Sequence, residues 1–439
     1  MKIAGKNTPI SGVYTVPGDK SISHRSVILG AIAAGTTQVS GFLTGEDCLA
    51  TISCFRELGV KIDVAGSDLT IFGGNLQSPE NVLFVGNSGT TLRLLSGLVA
   101  GLGFSCTFDG DSSIRKRPMK RVIEPLTAMG AAFNAATAPL SVACKNKLTG
   151  IEYTLPVASA QVKSAILLAG LYAVGTTTII EPTPTRNHTE IMLKNFGADI
   201  EVLKKPAGNM IKLRAGKLKA QNIKIPGDIS SAAFLIALAV MTPHSHITIK
   251  EVGVNPTRTG IIHVLRRMGA DIFLHNEHLS AGEPMADIEV SGAKRLTGTI
   301  IGGTEIPTLI DELPIIAVIA LFADSQTIIK NAEELRVKET DRISAICEEF
   351  NKFFENDPIT PTSDGMIISG NLKNTKNTIP GNNLKNTKNT MINVSSHGDH
   401  RLAMSLTILA LATNTTIELN QAECTNISFP NFYNLLNLA

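Results

Sequence analysis

Four short segments of the sequence place lysines and arginines among residues that begin helices or turns. PGDKSISHR (17–25) combines Lys20, Ser21 and Arg25, and this set of side chains can hold a carboxylate or a phosphate. Three further basic clusters lie in DGDSSIRKRPMKR (109–121), RVKETDR (336–342) and SHGDHR (396–401). Each cluster by itself is equally typical of a solvated surface, but together they indicate sites for small anions.

A fifth segment, GNSGTTLRLL (86–95), is a glycine-rich turn that opens an apolar helix and carries Arg93. Glycine-rich turns before a helix bind nucleotide phosphates in many proteins, but those sites need a Walker lysine or the GxGxxG spacing. This segment has neither feature, so the sequence argues against a nucleotide site here.

These segments belong to a pattern that the chain repeats six times. Each copy has a polar or small cluster, an apolar helical run, a turn and a β-branched strand. The copies begin at Lys20, Asn87, Ser159, Asp228, Asp311 and Asp399. The first helix of each copy is apolar nearly all round, which predicts that it is buried. Helix-capping residues stand at its start, so helix N-termini that converge would form an anion site.

Between most copies the sequence predicts a second, amphipathic helix followed by a turn and a strand. Each of these helices ends at a glycine, which can leave the helix in the left-handed conformation. Each repeat is therefore predicted to be a βαβαββ unit, and three buried helices per domain could share one core. The chain of 439 residues is longer than a single hydrophobic core supports, which favours two or more domains.

The composition argues against several classes of protein. The formal net charge is only +2, from 40 Lys and Arg against 38 Asp and Glu, so nothing predicts binding to nucleic acid or to an anionic membrane. The six cysteines are scattered, with no CxxC pair, which favours the reducing cytoplasm over a disulfide framework or a zinc cluster. The N-terminal residues lack the apolar run of a signal peptide, and no run approaches the ~18 residues of a membrane span.

Two further features are assigned no function. The closely spaced histidine pairs, His244 with His246 and His397 with His400, have no matching Cys, Asp or Glu set, so no metal site is predicted. The segment 371–390 contains NLKNTKNT twice and almost no core-forming residue, which is typical of a low-complexity surface insertion.

The chain resembles EPSP synthases over essentially its whole length, on the motifs PGDKSISHR, GNSGTT.RL, RKRPM, SAQVKSA, GDISSA, IDELP, RVKETDR and GDHR.AM. The resemblance implies an α/β fold of two similar domains, each of three βαβαββ units with buried parallel helices, arranged as an inside-out α/β barrel. It places the first domain at 19–223 and the second at 1–18 plus 224–439. Two crossing strands would form the hinge of a clamp that closes on substrate.

The resemblance also implies the reaction. The enolpyruvyl (carboxyvinyl) group of phosphoenolpyruvate would pass to the 5-hydroxyl of shikimate 3-phosphate through a tetrahedral intermediate, with no metal or organic cofactor. Asp311 and Glu339 would be the acid/base pair, of which one removes the hydroxyl proton and the other protonates the methylene carbon of phosphoenolpyruvate. Lys20 would also be catalytic. The enzyme would be a cytoplasmic monomer whose partners are these two substrates.

Two groups of residues would bind the substrates. Shikimate 3-phosphate would contact Lys20, Ser21, Arg25, Ser159, Ala160, Gln161, Arg186, Asp311 and Lys338. Phosphoenolpyruvate would contact Lys20, Gly89, Arg93, Arg117, Gln161, Arg342 and Arg401. The chain departs from better-known members at three positions: Arg186 stands in TRNHTE instead of a tyrosine-containing motif, Ile427 replaces a lysine and Leu94 replaces a proline. Gly89 is the small residue that this family associates with room for glyphosate.

Two alternatives remain at this stage. UDP-N-acetylglucosamine enolpyruvyl transferases share the fold but usually carry a cysteine in the loop that corresponds to 109–117, and this loop has none. A non-catalytic repeat scaffold gives no reason to place carboxylates among cations. Transfer to shikimate 3-phosphate is therefore the favoured function.

Overall fold

The structure is a computed structural model that describes residues 1–370, 384 and 391–438. This part of the chain forms a mixed α/β fold with several small mixed sheets, which confirms the predicted α/β class. None of the described helices is long and apolar enough to span a membrane. The segment 371–390, predicted to be a surface insertion, lies outside the described residues except for Leu384.

The strands and helices are numbered in chain order. The strands are β1 (Lys2–Ile3), β2 (Ser11–Tyr14), β3 (Gly35–Ser40), β4 (Lys61–Ala65), β5 (Asp68–Gly73), β6 (Leu83–Phe84), β7 (Cys106–Asp109), β8 (Ala132–Phe133), β9 (Leu140–Ala143), β10 (Glu152–Thr154), β11 (Thr176–Glu181), β12 (Ile200–Lys205), β13 (Gly208–Arg214), β14 (Ile223–Lys224), β15 (His246–Gly253), β16 (Ile272–Ser280), β17 (Glu283–Ser291), β18 (Ile300–Ile301), β19 (Thr327–Ile329), β20 (Ile359–Pro361), β21 (Met366–Ile368), β22 (Ile392–Ser395) and β23 (Ile417–Asn420). The α-helices are α1 (Lys20–Ile32), α2 (Glu46–Glu57), α3 (Gly89–Leu102), α4 (Lys120–Met129), α5 (Ala160–Gly170), α6 (His188–Asn195), α7 (Ile229–Met241), α8 (Gly260–Arg267), α9 (Leu313–Leu321), α10 (Arg342–Asn351), α11 (His400–Thr413) and α12 (Phe432–Leu435).

The chain divides into two compact units. Unit I comprises Gly18–Pro226 and Leu279–Pro284, and unit II comprises Met1–Pro17, Gly227–His278 and Met285–Ala439. Each unit buries its own cluster of apolar side chains. Each unit therefore has the separate hydrophobic core that a domain of this size requires.

Unit I contains three four-stranded sheets, and each sheet is one βαβαββ repeat. Their strand orders are β14-β3-β5-β4, β6-β7-β9-β8 and β10-β11-β13-β12. The first pair in each sheet is parallel and the other two pairs are antiparallel. In the second and third sheets a helix connects the two parallel strands. In the first repeat the opening strand is β14, which comes from the end of the unit.

Unit II repeats this plan. Two of its sheets have four strands, in the orders β16-β17-β15-β2 and β18-β19-β21-β20. The third, of order β1-β23-β22, pairs β22 with β23 in parallel and adds β1 from the N-terminus in antiparallel fashion. Five of the six sheets therefore have the βαβαββ order that the sequence pattern predicts, whereas the three-stranded sheet is shorter than predicted.

The first helix of each repeat is buried, as predicted. Every residue of α7 and α9 is buried, and α11 is buried as far as Ala412. In α1, α3 and α5 the side chains that are not fully buried include Lys20, Ser21, Arg93 and Gln161. These predicted binding residues lie in the first two turns, whereas the following turns supply the core.

The second helices end as the sequence predicts. Gly130 follows α4 with φ 114°, and Gly269 lies just beyond α8 with φ 99°. Residues with a side chain rarely adopt this left-handed region, so glycine allows the chain to turn into the next strand.

The helices α3 and α5 are in backbone contact at Gly97. A Cβ atom added at Gly97 would lie 2.1 Å from the carbonyl oxygen of Ala165 and 2.8 Å from its Cα atom. Only glycine fits at this crossing. Because α3 carries Arg93 and α5 carries Gln161, the crossing also sets the distance between these two side chains.

We expect Gly97→Ala to lower the free energy of unfolding by about 1–3 kcal/mol, because overpacking outweighs the roughly 1 kcal/mol by which alanine is the better helix former. Urea unfolding followed by circular dichroism measures the change. Gly216→Ala is the control, since its Cβ would meet no atom within 4 Å, and its effect should stay within about 0.5 kcal/mol. Equal stability of both variants would mean that the two helices do not touch at Gly97.

Candidate active site

The first cluster of unit I lies at the start of α1. Asp19 caps this helix, and its Oδ1 accepts the backbone N–H of Ile22 at 2.8 Å. The helix therefore begins at Lys20, whose Nζ forms an ion pair with the carboxylate of Asp47 in α2. Asp47 is buried and Lys20 is 18% exposed, so the ammonium group is held in place at the protein surface.

Arg25 lies one turn further along α1 and is buried. Its guanidinium donates to the carbonyl oxygen of Ser21 at 2.9 Å, to Ser164 Oγ at 2.7 Å and to Thr189 Oγ1 at 2.7 Å. Burial lowers the pKa of Arg25 to about 10, and the nearby positive charge of Arg186 acts in the same direction. Arg25 is therefore charged at neutral pH and lies near Arg186.

The second cluster joins α3 to α5. Arg93 Nη1 donates to Gln161 Oε1 at 2.8 Å, and Gln161 Nε2 donates to Thr90 Oγ1 at 3.0 Å. Ser159 caps α5 by accepting the backbone N–H of Val162 at 3.4 Å, so α5 begins with Ala160 and Gln161. These hydrogen bonds fix the orientation of Gln161 beside a helix N-terminus, where anions are stabilised.

Arg117 follows a short 3-10 helix and lies close to the start of α3. Its Nη2 donates to Asn87 Oδ1 at 2.6 Å, and Asn87 Nδ2 donates to Asp111 Oδ2 at 2.9 Å. A Cβ atom at Gly89 would lie 2.8 Å from Arg93 Nη1 and 3.0 Å from Arg117 Nη1. The glycine thus lets two guanidinium groups approach the N-terminus of α3.

Unit II carries a cluster centred on Arg342, the first residue of α10. Arg342 Nε donates to Asp399 Oδ2 at 2.7 Å, and Nη2 donates to Glu339 Oε2 at 2.7 Å. Nη1 lies 3.5 Å from Asp311 Oδ1. Burial by itself would lower the pKa of Arg342, but the charges of Asp399, Glu339 and Asp311 raise it well above its ordinary value. The predicted acid/base pair therefore shares one buried, charged arginine.

Asp311 is surrounded by three cationic side chains. Besides Arg342, Arg401 donates from Nη1 to the backbone carbonyl of Asp311 at 3.1 Å, and its Nη2 lies 3.5 Å from Oδ2. Lys338 Nζ lies 4.0 Å from Oδ1 of the same carboxylate. An anionic ligand and a carboxylate able to exchange a proton can be held together in such a cluster.

The structure thus groups the predicted residues by unit. Unit I holds Lys20, Ser21, Arg25, Gly89, Arg93, Arg117, Ser159, Ala160, Gln161 and Arg186. Unit II holds Asp311, Lys338, Glu339, Arg342 and Arg401.

Sequence reasoning missed three residues that hold these side chains: Asn87, Asp399 and Asp47. Asn87 and Asp399 stand inside the motifs GNSGTT and GDHR, so a requirement for an arginine partner could have drawn attention to them. Asp47 has no such signal, because nothing in its neighbourhood indicates that α1 and α2 bring it to Lys20.

Comparison with known proteins agrees with this arrangement. The family model for EPSP synthase (3-phosphoshikimate 1-carboxyvinyltransferase) matches residues 5–436. The 3-phosphoshikimate 1-carboxyvinyltransferase of Thermoanaerobacter sp. (strain X514) is 49% identical over 435 residues, which cover 98% of this chain and 97% of the relative. The enzyme of that name from Bacillus subtilis (strain 168) is 48% identical over 438 residues, again covering 98% and 97%.

Solved structures show the same relationship. The enolpyruvyl transferase NikO from Streptomyces tendae has a TM-score of 0.74 at 16% identity, covering 100% of this chain and 96% of that one. The EPSP synthase from Acinetobacter baumannii has a TM-score of 0.85 at 44% identity, covering 99% and 97%. The fold is therefore that of an enolpyruvyl transferase. Within this class, the full-length matches show that the chain belongs to the EPSP synthase family.

We expect Asp399→Asn to lower the free energy of unfolding by roughly 3 kcal/mol, because it removes the charge of a fully buried partner of Arg342. Asparagine also caps helices, so the loss reports on the ion pair and not on the start of α11. Thermal and urea unfolding measure it.

The matched control for Asp399→Asn is Asp199→Asn. Asp199 pairs with Arg214 at 3.1 Å, but these side chains are 63% and 69% exposed. Loss of this exposed ion pair should lower the free energy of unfolding by less than about 1 kcal/mol. If Asp399→Asn were no more harmful than this control, Arg342 would not depend on Asp399.

Proposed function

We propose roles for individual residues in the reaction of this family. Family membership gives the chain EPSP synthase activity in the shikimate pathway, with phosphoenolpyruvate and shikimate 3-phosphate as substrates. The enolpyruvyl group passes to the 5-hydroxyl and phosphate is released. The observation that carries the assignment of roles is the contact of Asp311 and Glu339 with one buried arginine, Arg342.

Shikimate 3-phosphate binds at the starts of α1 and α5. Arg25 has five N–H donors and uses three of them in hydrogen bonds to neutral oxygens, so donors remain for a phosphate group. The start of α5 adds backbone N–H groups and the favourable end of the helix dipole. The residues proposed to contact this substrate are Lys20, Ser21, Arg25, Ser159, Ala160, Gln161 and Arg186 of unit I and Asp311 and Lys338 of unit II.

Phosphoenolpyruvate carries a phosphate and a carboxylate, and its proposed site is accordingly rich in guanidinium groups. The approach of Arg93 and Arg117 at Gly89 supports this assignment, since each can bind an anion through two parallel hydrogen bonds. The residues proposed to contact phosphoenolpyruvate are Lys20, Gly89, Arg93, Arg117 and Gln161 of unit I and Arg342 and Arg401 of unit II.

Asp311 and Glu339 transfer the protons. One carboxylate removes the proton of the 5-hydroxyl as its oxygen bonds to C2 of phosphoenolpyruvate, and the other, protonated, delivers a proton to the methylene carbon. This addition gives a tetrahedral intermediate with a methyl group. Elimination returns a methyl proton to the second carboxylate and breaks the bond to the phosphate, which takes up the proton held by the first carboxyl group, and the enol ether remains. Lys20, held by Asp47, stabilises the charge on the departing phosphate.

Because each unit supplies part of both proposed sites, we propose that both units act on the same pair of substrates. The functional domains are 19–223 and 1–18 plus 224–439, each an inside-out α/β barrel of three repeats. The enzyme acts as a cytoplasmic monomer without a cofactor.

A coupled assay for phosphate release tests the choice of acceptor. We expect release from phosphoenolpyruvate with shikimate 3-phosphate and none above background with UDP-N-acetylglucosamine, because the loop 109–117 lacks the cysteine usual in enzymes that use the second acceptor. Phosphate release with UDP-N-acetylglucosamine but not with shikimate 3-phosphate would refute the function.

We expect Glu339→Gln and Asp311→Asn each to lower kcat by about 10²–10⁴-fold, the usual contribution of a general acid or base, and to change KM much less. Glu333→Gln, an exposed carboxylate in the 3-10 helix just before Glu339, is the control and should keep the parent kcat. An unchanged kcat in either variant removes that residue from its proposed role.

A further inference from the structure

Arg25 is a buried arginine that forms no ion pair with a carboxylate in the described part of the chain. Its hydrogen-bond partners are the carbonyl of Ser21 and the hydroxyls of Ser164 and Thr189, all of them neutral. A buried charge of this kind is costly unless a ligand compensates it. The surrounding residues must therefore keep nearby carboxylates from pairing with Arg25.

Three buried carboxylates lie near this guanidinium. Burial lowers the pKa of Arg25 to about 10, but the charges of Glu190, Asp19 and Glu283 act in the opposite direction. Asp19 is held at the start of α1, where it accepts the backbone N–H of Ile22. Glu190 directly follows Thr189, whose hydroxyl accepts a hydrogen bond from Arg25. Glu283 is held by His188, with 2.8 Å between Oε1 and Nδ1. Of these carboxylates, Glu190 is the one directly next in sequence to a residue that accepts a hydrogen bond from Arg25.

Lys163 holds Glu190. Its ammonium group is fully buried and lies 2.7 Å from Glu190 Oε1 and 2.7 Å from Glu181 Oε1. Glu181 also accepts the backbone N–H of Thr185 at 3.0 Å and the side-chain N–H of Asn209 at 3.2 Å. Glu190 has no comparable set: its Oε2 is buried without a hydrogen-bond partner among the described residues. Lys163 is therefore its one ion-pair partner in the described chain.

Adjacent residues of α5 and α6 keep these two interactions apart. Ser164 and Thr189 form a hydrogen bond of 2.6 Å and both accept from Arg25. The preceding residue of α5, Lys163, pairs with the following residue of α6, Glu190. Ser164 and Thr189 therefore present neutral hydroxyls to Arg25. The neighbouring pair, Lys163 and Glu190, is an ion pair in which the carboxylate of Glu190 is neutralised.

We propose that Lys163 is a positioning residue that keeps Glu190 from pairing with Arg25 and so keeps Arg25 available to the anionic substrate. Without Lys163, the carboxylates of Glu181 and Glu190 would lose their shared ammonium partner. Glu190 would then compete with substrate phosphate for the guanidinium of Arg25. The inference rests on the proposed function, in which Arg25 binds shikimate 3-phosphate. It gives a role to the lysine of SAQVKSA, which the proposed mechanism does not use.

Calorimetric titration of the full-length protein with shikimate 3-phosphate tests the proposal. Lys163→Met should raise the Kd of shikimate 3-phosphate by about tenfold or more, the scale of one lost charge-assisted hydrogen bond. The KM of phosphoenolpyruvate should rise much less. The double variant Lys163→Met/Glu190→Gln should recover a Kd within about threefold of the parent value, because the competing charge is gone.

Glu181→Gln is the matched control. It replaces a carboxylate partner of Lys163 by an amide, as Glu190→Gln does, but leaves the ion pair between Lys163 and Glu190 intact. The Kd of shikimate 3-phosphate should therefore not change. The proposal is overturned if Lys163→Met binds as the parent does, if the double variant binds no better than the single one, or if both substrates weaken by the same factor.

A folding defect in Lys163→Met does not remove the test. Glu190→Gln and the double variant both lack the competing charge, so the proposal requires them to bind shikimate 3-phosphate equally, and weaker binding by the double variant overturns it. Turnover of the parent protein with shikimate 3-phosphate is measured separately. Its absence refutes the proposed function, whereas a parent that is active leaves the role of Lys163 to the variants.

Discussion

The constraint on which this structure depends is the cost of burying a charged side chain. Arg25, Lys163 and Arg342 are buried and have lost their hydration. Hydrogen bonds or opposite charges must compensate each of them for that loss. Arg342 is compensated by the carboxylates of Asp399, Glu339 and Asp311. Lys163 is compensated by Glu181 and Glu190. The helices that carry these residues can pack only in ways that keep the partners together, so the charges select one arrangement of the apolar helices.

The same constraint separates two kinds of site. In unit II, Arg342 is surrounded by carboxylates, and two of them are the residues to which we assign proton transfer. In unit I, Arg25 contacts neutral oxygens and keeps a positive charge that suits a phosphate group. A cation whose neighbours are carboxylates positions and polarises those carboxylates, whereas one surrounded by neutral acceptors attracts an anion. The difference lies in the partners, since the arginine is chemically the same in both places.

The repeated fold places Lys20, Asp311 and Arg401 near the starts of equivalent buried helices, whereas Arg342 begins α10, the second helix of its repeat. Each repeat begins a buried helix after a short strand, and a cap such as Asp19, Ser159 or Asp399 fixes where the helix starts. The first turns carry polar residues, and the later turns are packed into the core. Changes in the first turns can therefore alter binding with little effect on the core, whereas changes such as those at Gly97 act on the distance between helices.

The sequence by itself determined the α/β class, the order of elements in five of the six repeats, the burial of the first helices and the motifs that contain the candidate residues. These features follow from local patterns: apolar periodicity, capping residues and glycines at helix ends. Only the tertiary structure decided which charges meet, because the pairs Lys20 with Asp47, Lys163 with Glu190 and Arg342 with Asp399 join different helices. Such pairing depends on how helices pack, and the spacing of residues along the chain does not encode it.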